Sequence, residues 1–419
     1  TDRQDRLKAR YVVHSNGPLN RPKLPAIRGI SDFKGHTFHT SRWDYAYTGG
    51  DSNGGLTNLK DKRVAVIGTG ATGVQCVPHL GAAAEHLYVF QRTPSSVDVR
   101  NNQPTDPSWM SGQEAGWQDE RRRNFESIMT GAPVKKDLVA DGWTEAFRLL
   151  FGSLQDKAPS KTRVAAWALM SPLSPDLYRL GMKKYLTQKA TTFMDLAREM
   201  ELADYQKMEG VRARAAEIVE DPDTAEALKP YYRQFCKRPC FHDEYLPTFN
   251  RPNVTLVNTD GRGVDQITEK GIVFDGQEYP VDCIVFATGF EVGTTFTRRA
   301  GYDIVGRNNQ TLSDHWRDGL RTFHGLTSHG FPNCFFLGFT QTAVTVNVPH
   351  ALNEQATHLA YVLSEARTRG TPTVEASAAA EEDYVGVIRQ SANTGARFYR
   401  ECTPGYYNSE GKTDNTSGF

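Results

Sequence analysis

The chain has 419 residues, and 49 Lys and Arg side chains balance 49 Asp and Glu side chains, so its formal net charge is zero and no global field draws it to nucleic acid. Its 38% hydrophobic and 23% charged residues describe a folded globular protein, and its length predicts two or three domains, because a domain usually has about 100 to 200 residues. Apolar stretches such as 283–287 are far shorter than the ~20 residues that a membrane span needs, which excludes an integral membrane protein.

The hydrophobic pattern of residues 11–90 is typical of a short strand and a long connection, followed by a strand, a helix and another strand. A short strand is predicted at 11–14, followed by a long connection rich in Gly, Pro, Asp and Asn over 17–62. The apolar run 62–67 ends at Gly68, as a buried parallel strand does. A helix from about 71 to 80 and a strand at 87–90 complete a βαβ unit.

The remaining elements predict a helical insertion and then a return to the sheet. Residues from about 106 to 232 are rich in Arg, Lys, Glu and Ala and have helical spacing. Strands are predicted at 254–257, 272–274, 283–286 and 334–337, and a helix at 353–368. The acidic run 379–383 is interpreted as a solvated face. The last fifty residues have the Gly, Thr and Ser content of a tail.

Six cysteines are spread over the chain without a C-x-x-C pair, which fits a reducing cytoplasm better than a disulfide scaffold. Cys236 and Cys240 are interpreted as packing residues. Residues 1–6 are charged and lack the apolar core of a signal peptide. Together these features predict a cytoplasmic protein.

A glycine-rich turn follows the strand 62–67 and opens the predicted helix. It reads G-x-G-x-x-G, and in this position it is typical of a dinucleotide-binding turn, in which backbone N–H groups at a helix N-terminus face a pyrophosphate. The alternative is a glycine-rich turn without a ligand. The candidate cofactor-binding residues are Gly68, Thr69, Gly70, Ala71, Thr72 and Gly73.

The end of the second strand favours NADP over NAD. An NAD site usually has Asp or Glu there to bind the ribose hydroxyls, whereas this chain has Arg92 and Thr93. Arg92 could hold a 2′-phosphate, and Thr93 could add a hydroxyl donor. The alternative for Arg92 is a solvated surface position.

A second glycine turn follows the strand 283–286, where Ala287, Thr288 and Gly289 end the strand. Such a turn can approach a nucleotide or mark a crossing between two dinucleotide domains, and Thr288 and Gly289 are therefore candidate cofactor contacts. Residues 11–17 have the same strand-then-glycine form. The two exits flank one nucleotide-binding fold and predict a second fold wrapped around it.

Residues 33–44 match the pattern F-x-G-x-x-x-H-x-x-x-W-[PD] at every defined position, which are Phe33, Gly35, His39, Trp43 and Asp44. This pattern resembles the fingerprint of type I Baeyer-Villiger monooxygenases, flavoenzymes that insert oxygen beside a ketone. Considered without the family, His36 and His39 are loop histidines that either bind a metal or face solvent. No carboxylate or cysteine cluster supports a metal, and none is predicted.

The resemblance extends over nearly all of residues 10–370, and it implies an NADPH- and O2-dependent enzyme that uses FAD. By this match Arg238 is the catalytic arginine and Lys237 a second contact to the 2′-phosphate. Considered without the family, the two form a basic pair for which a structural salt bridge is the default. The implied partners are a small-molecule ketone and O2, and the implied product is an ester or lactone formed through a C4a-peroxyflavin.

The resemblance also implies the domain order of an α/β fold with two Rossmann-like dinucleotide-binding domains, the NADP domain inserted in the FAD domain. Residues 1–57 are predicted to be the end of the first FAD-domain half and a linker, and 58–285 the NADP-binding domain, with its helical insertion at about 106–232. Residues 286–370 are predicted to be the second FAD-domain half and 371–419 a C-terminal tail.

The first FAD-binding half is expected outside these residues. The family carries a G-x-G-x-x-G turn after its first strand and an active-site Asp soon after, but residues 1–16 contain no glycine. We therefore predict that this half is present as earlier residues, as a cleaved piece or as a separate polypeptide. Two other functions stay open: a flavin monooxygenase that hydroxylates nitrogen or sulfur, and a non-catalytic NADP-binding module.

Overall fold

The computed structural model describes residues 5–104, 106–148, 190–342 and 345–411. Its β-strands are short, and their bounds in chain order are β1 (Val12–His14), β2 (His36–His39), β3 (Arg63–Ile67), β4 (His86–Gln91), β5 (Val97–Asp98), β6 (Cys240–Phe241), β7 (Val254–Asn258), β8 (Gln266–Ile267), β9 (Gly271–Phe274), β10 (Gln277–Pro280), β11 (Cys283–Phe286) and β12 (Cys334–Phe336).

The α-helices are more varied in length. Their bounds in chain order are α1 (Tyr45–Thr48), α2 (Ala71–Ala83), α3 (Pro107–Ser111), α4 (Trp117–Met129), α5 (Ala190–Ile218), α6 (Pro222–Ala227), α7 (Tyr245–Thr248), α8 (Phe296–Ala300), α9 (Leu312–His315), α10 (Val348–Thr368) and α11 (Ala378–Glu401). Within the described ranges, no helix is both long and apolar enough to cross a bilayer.

The main sheet has five parallel strands in the order β2-β11-β3-β4-β7. The apolar run of β3 reflects burial on both faces, since successive side chains of a strand point to opposite sides. Val64 and Val66 pack in the core that contains α2, whereas Ala65 and Ile67 pack against the antiparallel sheet β8–β10. This explains why the predicted βαβ unit was recognisable from a continuous rather than an alternating pattern.

A second, two-stranded sheet forms from β1, which precedes the main sheet in the sequence, and β12, which follows it. We refer to the main sheet and this second sheet as the two layers. Strand β1 pairs in parallel with β12, although more than 300 residues separate them, and Phe335 packs with Tyr11 and with Leu359 of α10. Segments that precede and follow the main sheet in the sequence thus pair with each other. The predicted α/β class with parallel sheets is confirmed.

The later elements differ from the predicted bounds in two places. Helix α10 begins at Val348 rather than at 353, with a proline in its first turn. The segment predicted as a tail contains the 24-residue helix α11 and a 3-10 helix at Tyr406–Gly411. Helices α3 to α6 lie in the predicted insertion, of which residues 149–189 are outside the described part. The domain boundaries stay a prediction.

Two interpretations of polar residues are wrong. Cys236 forms a disulfide with Cys402, 166 residues away, whereas Cys240 is a free, buried thiol as expected for packing. In the run 379–383, Glu382 and Asp383 are exposed as expected of a solvated face, but Glu381 is only 1% exposed. The sequence pattern could not reveal either arrangement, because both depend on partners far away in the chain.

Candidate dinucleotide site

The glycine turn lies where β3 ends and α2 begins, at the carboxyl edge of the parallel sheet. Gly68 has φ +106°, and a Cβ there would lie 2.6 Å from the carbonyl oxygen of Ala287, at the end of β11. At Gly73, a Cβ would lie 2.5 Å from the carbonyl oxygen of Gly68. These two glycines therefore permit close packing of the turn against the neighbouring strand and of the helix against the turn.

Gly70 has a different surrounding. Among the described residues, a Cβ at Gly70 would meet no atom within 4 Å, and no side chain caps the N-terminus of α2, for which Gly70 is the N-cap residue. No described side chain therefore competes with a pyrophosphate for the first N–H groups of this 13-residue helix. The turn fits the phosphates of a dinucleotide by this test. Thr69 holds it in place by donating its hydroxyl to the carbonyl oxygen of Thr93, at 3.1 Å.

Arg92 and Lys237 meet the same C-terminal segment next to this turn. The guanidinium of Arg92 donates to Glu410 at 3.1 Å, and the ammonium of Lys237 donates to the carbonyl oxygen of Pro404 at 2.9 Å. Burial lowers the pKa of Lys237, and the charge of Arg92 lowers it further, against an opposing effect of Glu410. The two predicted 2′-phosphate contacts are thus neighbours in space although they are distant in sequence.

Arg92 borders a cavity of about 840 Å³ that also reaches Pro404 of the C-terminal segment, whereas Lys237 is not among its lining residues. Arg92 and Thr93 line one side, Asn258 and Asp260 the end of β7, and Thr403 and Glu410 the C-terminal segment. A cation beside an open cavity at the end of the second strand of a βαβ unit suits the 2′-phosphate of NADP. The residues present therefore fit the group that the sequence predicts.

Arg238 follows the 3-10 helix Gln234–Cys236 and precedes β6. Its side chain is exposed, and within the described ranges its guanidinium forms no hydrogen bond or ion pair. Its positive charge lowers the pKa of the buried Cys240 thiol, although burial is the larger effect and raises that pKa to about 11. The salt bridge considered for this basic pair is thus absent at Arg238 among the residues described.

The second glycine turn contacts the long connection that precedes the main sheet. Thr288 donates its hydroxyl to the carbonyl oxygen of Lys23, and the N–H of Lys23 donates to the carbonyl oxygen of Gly289 at 2.9 Å. A bridge between Pro22 and Phe290 continues this pairing. Thr288 and Gly289 therefore hold the connection at Lys23 against the end of β11, where the chain crosses between the two layers. Their role as cofactor contacts stays a prediction.

The fingerprint residues fix β2 at the edge of the sheet. Gly35 allows the chain to pass closely, because a Cβ there would lie 2.5 Å from the Phe33 ring and 2.6 Å from the carbonyl oxygen of Asp282. Asp44 caps α1 by accepting from the N–H of Tyr47 at 3.1 Å, and it pairs with His36 at 3.0 Å. These contacts explain the close spacing of the pattern.

His39 lies at the carboxyl end of β2, near the second glycine turn. Its ring is 5.7 Å from that of Phe290, and Ser41 contacts its Nδ1 at 2.8 Å. Its Nε2 is buried without a well-formed hydrogen bond to any described residue. Burial lowers the pKa of His39, while the carbonyl of Gly289 raises it to a smaller degree. Trp43 packs edge-on against Phe38 and donates to Thr48 at 3.1 Å.

The chain is similar in sequence to several proteins of known name. No family model matches the chain. It is 51% identical over its whole length to neopentalenolactone D synthase of Streptomyces avermitilis, covering 66% of that protein. It is 47% identical over 98% of its length to a Baeyer-Villiger monooxygenase of Streptomyces coelicolor, covering 64% of it. The chain belongs to the Baeyer-Villiger monooxygenase family.

A solved structure supports the same assignment. The polycyclic ketone monooxygenase of Thermothelomyces thermophila superimposes with a TM-score of 0.80 at 40% identity, over 97% of this chain and 62% of that one. The chain thus spans 62% to 66% of the length of these Baeyer-Villiger monooxygenases and their relatives. The comparisons do not support the predicted separate or cleaved FAD-binding half, because each relative matches 97% to 100% of these residues within one chain.

Two residues at this candidate dinucleotide site were missed. Lys23 and Glu410 are paired at 2.7 Å beside Arg92, yet they come from the long connection and from the predicted tail. No local pattern marks either residue.

The described ranges contain no group of three or more His, Cys, Asp or Glu side chains that could hold a metal ion.

Proposed function

We propose that this protein is an NADPH- and O2-dependent flavin monooxygenase that converts a ketone to an ester or lactone. One ketone, one O2, one NADPH and one proton would give one ester, one NADP+ and one water. Membership of the Baeyer-Villiger monooxygenases favours this reaction over hydroxylation of nitrogen or sulfur and over a non-catalytic NADP-binding role.

The observation that carries the proposal is the pair of cations beside the glycine turn. Arg92 and Lys237 are brought together at the carboxyl edge of the sheet, and Gly70 leaves the helix N-terminus open. The turn would hold the pyrophosphate, Arg92 would hold the 2′-phosphate as a planar donor, and Lys237 would add a point charge. This division of roles accounts for NADPH rather than NADH as the reductant.

FAD and NADPH, when bound, supply the hydride transfer and oxygen activation of the reaction. We assign to Arg238 the stabilisation of negative charge on oxygen as the ketone reacts. Its planar guanidinium can donate several N–H groups to one oxygen, and it has no competing carboxylate among the described residues. A donor of this kind acts strongly because it is already in place when the charge develops.

The test of this role is Arg238→Ala in the full-length, FAD-loaded protein. We expect NADPH oxidation to continue with release of hydrogen peroxide, while ester formation falls by about 100- to 1,000-fold. Arg238→Lys keeps the charge but loses the planar donor geometry, so it should recover only part of the ester yield. Arg262→Ala removes an exposed arginine paired with Asp275 and serves as the matched control.

Ester formation by Arg238→Ala at the wild-type rate would refute the assigned role. If Arg238→Ala loses both NADPH oxidation and ester formation, the role is also refuted, because the defect would then lie in cofactor binding. Gas chromatography of the ester, absorbance of NADPH and a peroxidase-coupled assay measure the three quantities separately.

We further propose a bulky, polycyclic ketone as the substrate. The structural neighbour from Thermothelomyces thermophila is named a polycyclic ketone monooxygenase. The long helical insertion predicted at about 106–232 is also compatible with a large substrate. Comparison of kcat/KM for a fused tricyclic ketone and for cyclohexanone tests this. A higher value for cyclohexanone would contradict the proposal.

A cytoplasmic location is also a proposal. Cys76, Cys240, Cys283 and Cys334 are free thiols, which fits a reducing compartment, whereas the disulfide between Cys236 and Cys402 is uncommon there. Fractionation of cells that express the full-length protein would decide, and recovery in an extracytoplasmic fraction would contradict the cytoplasmic location.

A further inference from the structure

The C-terminal segment covers the cations that are proposed to bind the 2′-phosphate. We define residues 402–411 as the C-terminal cap. Its Glu410 carboxylate accepts from Lys23 at 2.7 Å on one oxygen and from Arg92 at 3.1 Å on the other. Its Pro404 carbonyl oxygen accepts a hydrogen bond from the ammonium of Lys237. A carboxylate and a carbonyl oxygen thus take the contacts that a phosphate would use.

The cap is held in this position by its own structure. Cys402 is joined to Cys236, next to Lys237 in the chain. The side chain of Asn408, which is 5% exposed, accepts from the N–H of Gly405 at 2.9 Å and donates to the carbonyl oxygen of Cys402 at 3.2 Å. These contacts make the segment a compact turn rather than a loose terminus.

The conformation of Glu410 suggests a functional constraint. Its φ is +59°, in the left-handed region that non-glycine residues seldom adopt. Burial alone would raise the pKa of Glu410, but the hydrogen bond from Lys23 and the charges of Lys23 and Arg92 lower it below its usual range. The carboxylate is therefore ionised at neutral pH, and its negative charge lies where a 2′-phosphate is proposed to bind.

We propose that Glu410 is a 2′-phosphate mimic, so that the C-terminal cap competes with NADPH for Arg92 and Lys237 and sets the selectivity between NADPH and NADH. The inference rests on the proposed function of this site. A phosphate dianion and the Glu410 carboxylate repel each other at one guanidinium, so binding of the 2′-phosphate displaces the cap. A cofactor with a ribose hydroxyl at this position meets no such repulsion, since a carboxylate accepts from a hydroxyl.

The test compares two fragments of the cofactor by calorimetry on the full-length protein. For Glu410→Gln we expect 2′,5′-ADP to bind about fivefold more tightly, the upper effect of a partly exposed ion pair, and 5′-AMP to bind unchanged or more weakly. Glu365→Gln is the matched control, since Glu365 of α10 pairs with Arg369 and does not line this cavity. It should leave both affinities unchanged.

A second variant and a second measurement do not depend on Glu410 itself. Cys402→Ser unties the cap and should also tighten 2′,5′-ADP binding. In the wild type, 2′,5′-ADP should speed hydrogen exchange of residues 404–411, whereas 5′-AMP should not. Protection of these residues by 2′,5′-ADP would overturn the inference, because the cap would then close on the ligand instead of leaving it.

Arg92→Ala separates this inference from the proposed function. If Arg92→Ala weakens 2′,5′-ADP while Glu410→Gln leaves it unchanged, the competition is refuted and the NADPH site stands. If the wild type does not distinguish 2′,5′-ADP from 5′-AMP and Arg92→Ala has no effect, the NADPH site is refuted and the competition with it. Tighter binding in Glu410→Gln together with weaker binding in Arg92→Ala supports both.

Discussion

Glu381 holds the start of α11, the helix that leads to the C-terminal cap. It is 1% exposed and accepts hydrogen bonds from the Nε2 of His315 at 2.9 Å and from the hydroxyl of Ser328 at 3.0 Å. The N–H of His329 and the guanidinium of Arg321 also donate to it. Four donors from residues 315–329 thus converge on a single buried carboxylate.

Replacing Glu381 with Gln removes the charge and places an amide N–H₂ group among these donors. Breaking a buried ion pair by removal of one partner costs about 3 to 5 kcal/mol, and we expect about 2 to 3 kcal/mol here because Arg321 keeps Glu382 as a second partner. Hydrogen exchange of the α11 amides should then rise by about 30- to 150-fold. Glu382→Gln, one residue away and exposed, is the control and should change little.

The pH dependence of this effect has a definite sign. Burial by itself would raise the pKa of Glu381, but its hydrogen bonds and the charge of His315 bring it below the ordinary value of 4.5. The carboxylate therefore stabilises the folded protein above about pH 4.5, and this contribution is lost as the pH falls through the folded-state pKa. An exchange rate that is equal in Glu381→Gln and Glu382→Gln at pH 7 would refute the reasoning.

Two further predictions concern the glycine turn and the buried thiols. Gly73→Ala should lower the melting temperature, because its Cβ would lie 2.5 Å from a carbonyl oxygen, whereas Gly70→Ala should keep it but weaken NADP+ binding by about tenfold, as calorimetry can measure. Burial raises the pKa of Cys76 to about 12 and that of Cys240 to about 11. Both thiols should therefore stay unlabelled by iodoacetamide at pH 8 in native protein, as mass spectrometry would show.

The strand–turn–helix unit around the glycine turn was predictable because its signals are local. The run of β3 is apolar since both faces of the strand are covered, and the three glycines of the turn are spaced by the geometry of one strand-to-helix connection. The fingerprint 33–44 is similarly compact, with Asp44 and His36 paired only eight residues apart. Short separations of this kind leave a readable spacing in the sequence.

The cap and its contacts could not be predicted for the opposite reason. Cys236 and Cys402 are 166 residues apart, and Arg92 and Glu410 are 318 apart. Composition made the last fifty residues look like a tail, because α11 is rich in small and polar residues, and its buried face combines Glu381 with only a few apolar side chains such as Val385 and Ile388. A carboxylate among acidic neighbours looks solvated in the sequence even when it is buried in the fold.

Lys23 connects these separate observations. Its backbone is fixed by Thr288 and Gly289 at the crossing between the two layers, and its ammonium binds Glu410 of the cap. The position of the cap over Arg92 therefore depends on the crossing as well as on the disulfide. If the cap is a phosphate mimic, Lys23→Ala should release Glu410 from one partner and tighten 2′,5′-ADP binding, although a lysine lost from an anion site would ordinarily weaken it. That inversion of sign distinguishes competition by Glu410 from simple charge attraction.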